Sequence, residues 1–211
     1  DIAFIENGTP LEVTEVIVAR RPLGVPALDL TTISAGGGSL AWIDRGGFLC
    51  VGPQSAGADP GPACYGLGGT QPTVTDANLM LGYLNPEYFL GGRMTLDVDG
   101  ATSAMSSLGS DMGMDTIEAA WGIYNVVTES MAAAARIHII GRNKDPRNYA
   151  IVAFGGAGPA HACEVARILG ATRVVIPLGA GVTSALDLSS SGRLYGASQA
   201  PTKVSFCSLP K

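Results

Sequence analysis

The sequence predicts an α/β domain, a mixed sheet flanked by helices, and three observations carry that reading. The first fifty residues alternate short apolar runs with turn signals, as β-hairpins do. Residues Asp115–Ile140 form a long run with helical spacing and a cap at each end. Residues Tyr149–Ile176 then read strand, glycine turn, helix, strand, which is a β-α-β unit with a parallel pair.

Each element has a local cause. Ile2–Glu6 and Glu12–Val18 are apolar or alternating runs separated by Asn7-Gly8, so they are expected to form a hairpin. Leu28–Ile33 is a further strand, followed by the loop Gly36–Gly38. Leu40–Asp44 and Phe48–Val51 flank Arg45-Gly46-Gly47 as a second hairpin. Asp76–Leu84 and Asp99–Leu108 are short helical candidates, the second begun by an aspartate cap. In Asp115–Ile140, Asp115 and Glu118 complete a capping box and Gly141 ends the helix. Its expected inner face is Ile117, Trp121, Tyr124, Val127, Met131 and Ala135. Tyr149–Phe154, Pro159–Leu169 and Arg173–Ile176 make the β-α-β unit, and Gly179–Leu186 opens a last helical turn. Residues 187–211 are serine-rich and without period, and are expected to be a divergent or disordered tail.

Composition narrows the function. Apolar residues make up 46% and charged residues 15%, with mean hydropathy +0.28. That surplus suggests surface meant for a partner domain or subunit. The net charge is −5, and the 13 basic residues form no stripe, so nucleic acid and anionic membranes lack their electrostatic footprint. No apolar run approaches the roughly 18 residues a membrane span needs. No signal peptide is evident, and the chain starts at Asp1 rather than Met. Cys50, Cys64, Cys163 and Cys207 lack CxxC spacing, which favours reduced thiols in the cytoplasm over a disulfide or zinc framework.

The densest signal is Val51–Asn78, with six glycines, four prolines and only two charges, Asp59 and Asp76. Proline fixes φ while glycine permits φ > 0, so this composition specifies one irregular path rather than a linker. Both aspartates are candidates for holding Mg²⁺ or orienting water. Local readings stand beside that one: an Asx-turn for Asp59 before Pro60, and a helix cap for Asp76. Gly155, Gly156 and Gly158 lie where a strand turns into a helix, so a phosphate or other polar group can approach the backbone there. A tight β-α turn needing small residues explains the same glycines. Gly36, Gly37 and Gly38 form a second loop able to wrap phosphates, or simply a hairpin corner. His161, in the first turn after Gly158, is a catalytic candidate; His138 reads as a core or interface residue. The Rossmann spacing and its acidic partner are absent, as is a Walker lysine loop.

With these residues assembled, the sequence resembles the hydantoinase/oxoprolinase family of large ATP-dependent subunits. The resemblance runs through Ile33–Asp44 (ISAGGGSLAWID), Val51–Gly69 (VGPQSAGADPGPACYGLGG), Pro72–Gly82 (PTVTDANLMLG), Asp145–Ala162 (DPRNYAIVAFGGAGPAHA) and Val174–Leu186. It implies an actin-like ATPase (ribonuclease H-like) fold, with residues 1–186 as the second domain and the first domain missing. Asp1 then matches the end of the family's second phosphate-loop motif. Phe154–Pro159 corresponds to the adenosine-contacting turn. The family continues beyond Leu186 with a Gly-Leu-Leu and Ala-Asp-rich segment that this chain lacks, as a truncation, frameshift or divergence would produce.

The implied activity is ATP-dependent opening of a cyclic amide such as 5-oxoproline or a hydantoin by carbonyl phosphorylation, with ATP and Mg²⁺. The implied partners are the missing N-terminal ATPase domain and a hydantoinase B-type subunit. Gly36–Gly38, Gly155, Gly156 and Gly158 would contact nucleotide or phosphate, Asp59 and Asp76 metal or water, with His161 as a polar neighbour. An ATP-dependent ketone carboxylase subunit and a non-catalytic nucleotide-binding or assembly domain are the alternatives. The chain by itself is expected to be inactive.

Overall fold

The computed structural model describes residues 1–18, 20–181 and 205–207. The chain opens with eight short strands: β1 Ile2–Ala3, β2 Ile5–Glu6, β3 Thr9–Pro10, β4 Glu12–Val13, β5 Val16–Val18, β6 Arg21–Leu23, β7 Ala27–Leu28 and β8 Leu30–Thr31. A hairpin of β9 Ser39–Ile43 and β10 Leu49–Ser55 follows, then α1 Val74–Met80, α2 Val98–Met112 and α3 Thr116–Ile140. The series closes with β11 Ile151–Val152, α4 Gly158–Leu169, β12 Val174–Ile176 and β13 Ser205–Cys207. Among the described residues no helix is long and apolar enough to cross a membrane.

The chain divides into two compact units. One comprises Asp1–Ile33, Ala132–Gly155 and Ala166–Lys211; the other comprises Ser34–Met131 and Gly156–Val165. In the first, β11 and β12 pair in parallel, as the β-α-β reading expects, and β13 joins β12 antiparallel, so the sheet is mixed. That strand falls within the stretch expected to be a tail; its neighbours, and most of Gly179–Leu186, lie outside the described residues. The expected pairing of Ile2–Glu6 with Glu12–Val18 does not form. Asn7 (φ 53°) and Gly8 (φ 79°) do make the tight turn, but a two-residue turn joins its immediate neighbours, so Glu6 faces Thr9. Glu12–Val18 pairs forward instead, β5 with β6 and β4 with β7, while β1 closes on β8. Phe4 packs edge-on against Tyr149 at 4.8 Å. Arg142 pairs with Asp29 and Lys144 with Glu6. His138 is buried, its Nδ1 2.7 Å from Thr31 Oγ1.

The second unit is built on β9–β10 and the helices. The hairpin forms as expected: Asp44 Oδ1 accepts from the amides of Gly46 (2.8 Å) and Phe48 (2.9 Å), tying the turn. In α3 the capping box also forms. Asp115 Oδ1 accepts from Ile117 and Glu118 N, and Glu118 Oε2 accepts from Asp115 N. The buried face matches the expected one at Tyr124, Val127 and Met131 and departs from it elsewhere. Ile117 and Trp121 are 50% and 47% exposed, whereas Ala119, Ala120, Ile123, Tyr124 and Val127 are buried. Alanines therefore form much of the inner stripe, letting the helix sit close to its neighbours. The core joins Ile123 and Val127 to Val74, Met105 and Leu108. Burying each of these larger side chains contributes about 1.5–3 kcal/mol. A second cluster of Cys64, Leu79, Leu96 and Ala101 lies beneath the long loop. The two short helices begin earlier than expected: Thr73, not Asp76, caps α1, and Asp97, not Asp99, caps α2.

Candidate functional site

The glycine loop, the long loop and the turn into α4 meet in the second unit. Thr75 N donates to Gly37 O at 2.8 Å, and Ala56 N donates to Gly38 O at 2.8 Å. A Cβ on Gly37 would lie 2.6 Å from Thr75 Oγ1 and 3.9 Å from Ala157 Cβ; one on Gly38 would lie 2.7 Å from Ser55 Oγ. A side chain at Gly37 would therefore have to displace the buried Thr75 hydroxyl, whereas at Gly38 it would meet the hydroxyl of exposed Ser55. Gly36 N donates to Ser39 Oγ at 3.0 Å, closing the loop on itself. The structure thus brings Gly36–Gly38 beside Ala157, next in the chain to Gly156 and Gly158. Gly155 belongs to the first unit, where its N–H donates to Ala180 O at 2.7 Å.

The two aspartates occupy opposite environments. Asp59 is exposed in the turn that follows Gly57. Asp76 has no exposed surface, and its carboxylate accepts four hydrogen bonds: Cys64 N at 2.7 Å, Ala63 N at 3.3 Å, Thr73 N at 2.9 Å and Thr73 Oγ1 at 2.7 Å. Asp76 is the third residue of α1, and with Thr73 it completes a capping box. One side chain therefore both starts the helix and fastens the loop at Ala63–Cys64. With four donors on two oxygens, this carboxylate faces the protein rather than a cation. Among the described residues no group of three His, Cys, Asp or Glu side chains could hold a metal. Burial, reinforced by Asp76, pushes the Cys64 thiol far above its usual range, so it is an inert core group.

His161 is fully buried. Asn78 Nδ2 lies 3.2 Å from its Nε2, and Thr128 Oγ1 lies 2.9 Å from its Nδ1. With the amide as donor, Nε2 accepts and Nδ1–H points to Thr128. Burial lowers its pKa to about 4, so the ring is neutral at physiological pH. It stacks on Tyr124 at 4.8 Å, and Tyr124 also stacks on Tyr83 and Trp121. The Tyr124 hydroxyl donates to Ala160 O at 3.1 Å; burial, then Tyr83, raises its pKa and keeps that proton in place. Asn78 Oδ1 is buried with no hydrogen-bond partner among the described residues. Beside this stack, Tyr83, Tyr124, Gly156, Pro159 and Cys163 line an open cleft of about 490 Å³.

Sequence reasoning missed Thr73, Thr75, Asn78 and Thr128, and read Tyr124 only as part of the inner face of its helix. The run Thr73-Val74-Thr75-Asp76 carried a cap signal, serine or threonine followed three residues later by an acid. The partners of His161 carried none, because they come from two other helices far away in sequence.

Comparison with known proteins identifies the family. The Hydantoinase/oxoprolinase family model matches residues 1–191. The chain is 45% identical over 159 residues to the caprolactamase subunit alpha of Pseudomonas jessenii, covering 75% of this chain and 23% of that one. It superposes on the crystal structure of the ATP-dependent caprolactamase from Pseudomonas jessenii with a TM-score of 0.75 at 40% identity, covering 87% of this chain and 26% of the other. It is 42% identical over 164 residues to the acetophenone carboxylase gamma subunit of Aromatoleum aromaticum, covering 76% and 22% of the two chains. Against 5-oxoprolinase 1 of Arabidopsis thaliana it is 37% identical over 199 residues, covering 86% and 16%. The chain thus spans less than a quarter of the length of these curated relatives. This chain belongs to the hydantoinase/oxoprolinase family.

Proposed function

We propose that this chain is the nucleotide-binding part of an ATP-dependent enzyme that opens cyclic amides such as 5-oxoproline, a hydantoin or a larger lactam. The observation that carries the reading is the convergence of Gly36–Gly38 with Ala157 beside Gly156, at the start of α4. Small residues on both sides let a polyphosphate approach the backbone closely. The reading assigns residues 1–186 to the second domain of an actin-like ATPase fold, completed by a first ATPase domain and a hydantoinase B-type subunit in the cytoplasm. The subunit names of the relatives support the partner assignment.

A lactam carbonyl is a weak electrophile. Transfer of the γ-phosphoryl group of ATP to its oxygen, with release of ADP, makes that oxygen a leaving group as phosphate. Water then adds at the carbon and the C–N bond breaks, the amine taking up a proton and the carbon left as an acyl phosphate. A second water adds there and phosphate leaves, giving the ring-opened carboxylate. The work of this chain is positioning and charge stabilisation. Gly36–Gly38 and the Gly156–Gly158 segment at the start of α4 hold the nucleotide. Asp59, exposed on its turn, can serve as an oxygen ligand for Mg²⁺, which would neutralise phosphate charge there. Asp76 and His161 act on the protein side, the first holding the loop that carries Asp59 and the second fixing helices.

The test is ATP hydrolysis by the intact protein with and without its companion subunit. Dependence on a cyclic amide supports ring opening. Dependence on a ketone plus bicarbonate would move the assignment to carboxylation, the alternative favoured by the acetophenone carboxylase relative. Nucleotide binding without turnover under either condition would indicate an assembly domain.

A further inference from the structure

Asn78 in α1, His161 in α4 and Thr128 in α3 form one buried polar chain. We propose that His161 is a positioning residue: through Asn78 it sets where α1, and with it the loop Gly36–Gly38, stands relative to the glycine turn that begins α4. This rests on the nucleotide reading above.

Two segments argued to hold one ligand must keep a fixed separation, and α1 links them. At its first turn, Thr75 N bonds Gly37 O, and Thr75 Oγ1 fills the space beneath Gly37. Further along the same short helix, Asn78 reaches into the interior and meets His161. His161 lies in α4 soon after Gly158, so the connection runs from the glycine loop through Thr75, Asn78 and His161 to the glycine turn. Apolar side chains would fill the volume but fix no direction, whereas a hydrogen bond between an amide and a ring nitrogen fixes both. Thr128 makes that direction unique: by accepting from Nδ1–H it leaves Nε2 as the lone-pair side facing the Asn78 amide. The ring plane is set by Tyr124, itself tied to the first turn of α4 through Ala160 O. An imidazolium would present N–H to the amide hydrogens of Asn78 and break the link, so the connection needs a neutral ring.

The test compares two conservative variants in the intact enzyme, measuring cyclic-amide-dependent ATP turnover together with melting temperature. His161→Gln can still place an acceptor near the Nε2 position for Asn78. His161→Asn reaches only as far as Nδ1 and loses that arm. We expect Asn78→Ala and His161→Asn to lower kcat by about tenfold or more while KM for ATP stays within about threefold. His161→Gln should retain kcat within about threefold of the parent. Should His161→Asn fail to fold, Thr128→Val replaces it: loss of the tautomer-fixing acceptor should lower kcat by about threefold or more. Equal losses in His161→Gln and His161→Asn that track melting temperature, a change confined to KM, or a Thr128→Val enzyme with unchanged kcat would each overturn the proposal. A parent enzyme without cyclic-amide-dependent turnover overturns the functional reading and this inference together. A parent that turns over while the two His161 variants behave alike overturns this inference alone.

Discussion

Asp59 and Asp76 belong to the same glycine- and proline-rich segment, yet one stands in solvent and the other is sealed inside. The tip around Asp59 is exposed. The base around Asp76 gathers Thr73, Ala63 and Cys64 around one carboxylate and has no exposed surface. Equal residue types in one motif can therefore stand in opposite environments, a structural acid at the base and an exposed acid at the tip, to which the proposed function gives the chemistry. That division predicts that stability and turnover separate along the loop.

The largest expected effect is on stability at the base. Asp76→Ala strands four buried donors and should cost about 3–5 kcal/mol, read as a large drop in the denaturation midpoint. Asp76→Asn should be milder but still destabilising, because its amide nitrogen cannot accept. A loss under about 0.5 kcal/mol for Asp76→Ala would erase the contrast.

The next effect is a pH dependence through His161. Its folded-state pKa, about 4, lies below the ordinary 6.5. Above pH 6.5 both states are neutral. As pH falls from 6.5 towards 4 the unfolded chain takes up a proton that the native ring refuses, so stability falls; below about 4 both are protonated and the decline from this group ends. The full loss is on the order of 3 kcal/mol. His138 is depressed in the same direction, first by burial and then by Arg142, so the parent curve contains both groups. The difference between the parent and His161→Gln isolates His161, and coincident acid limbs would contradict its buried neutral state.

Gly37→Ala comes third. The new Cβ would meet Thr75 Oγ1 at 2.6 Å, and the overpacking should cost about 1–3 kcal/mol along with weaker ATP binding by titration calorimetry. At the tip, Asp59→Asn should change stability by no more than about 0.5 kcal/mol while lowering ATP turnover. Equal falls in stability at Asp59 and Asp76 would show the loop to be one structural unit with no division of labour.

What was legible in the sequence follows the range of the interactions. Asp115 and Glu118 sit one turn apart, and their capping box formed as read. Tyr149–Ile176 gave a parallel pair because strand, turn and helix lie in one short stretch. The inner face of α3 was read in part: Tyr124 and Val127 are buried as expected, while Trp121 and Ile117 are apolar by type but exposed, and the small residues Ala119 and Ala120 are what the neighbours admit. The first hairpin was misread for a different reason, since a strand end does not announce which of two later runs it pairs with. In the site, the glycines were visible as composition, while their meeting with Thr75 and Ala157 depends on tertiary contact. The Asn78–His161–Thr128 chain has no local signature at all.

The most direct measurement of the central claim is ATP hydrolysis by the intact protein and its companion subunit, across 5-oxoproline, hydantoin and caprolactam, with Asp59→Asn and Gly37→Ala in parallel. The account predicts hydrolysis that requires one of these cyclic amides, yields its ring-opened product in step with ADP, and falls in both variants. Hydrolysis indifferent to every cyclic amide, or unchanged in Gly37→Ala, would contradict it.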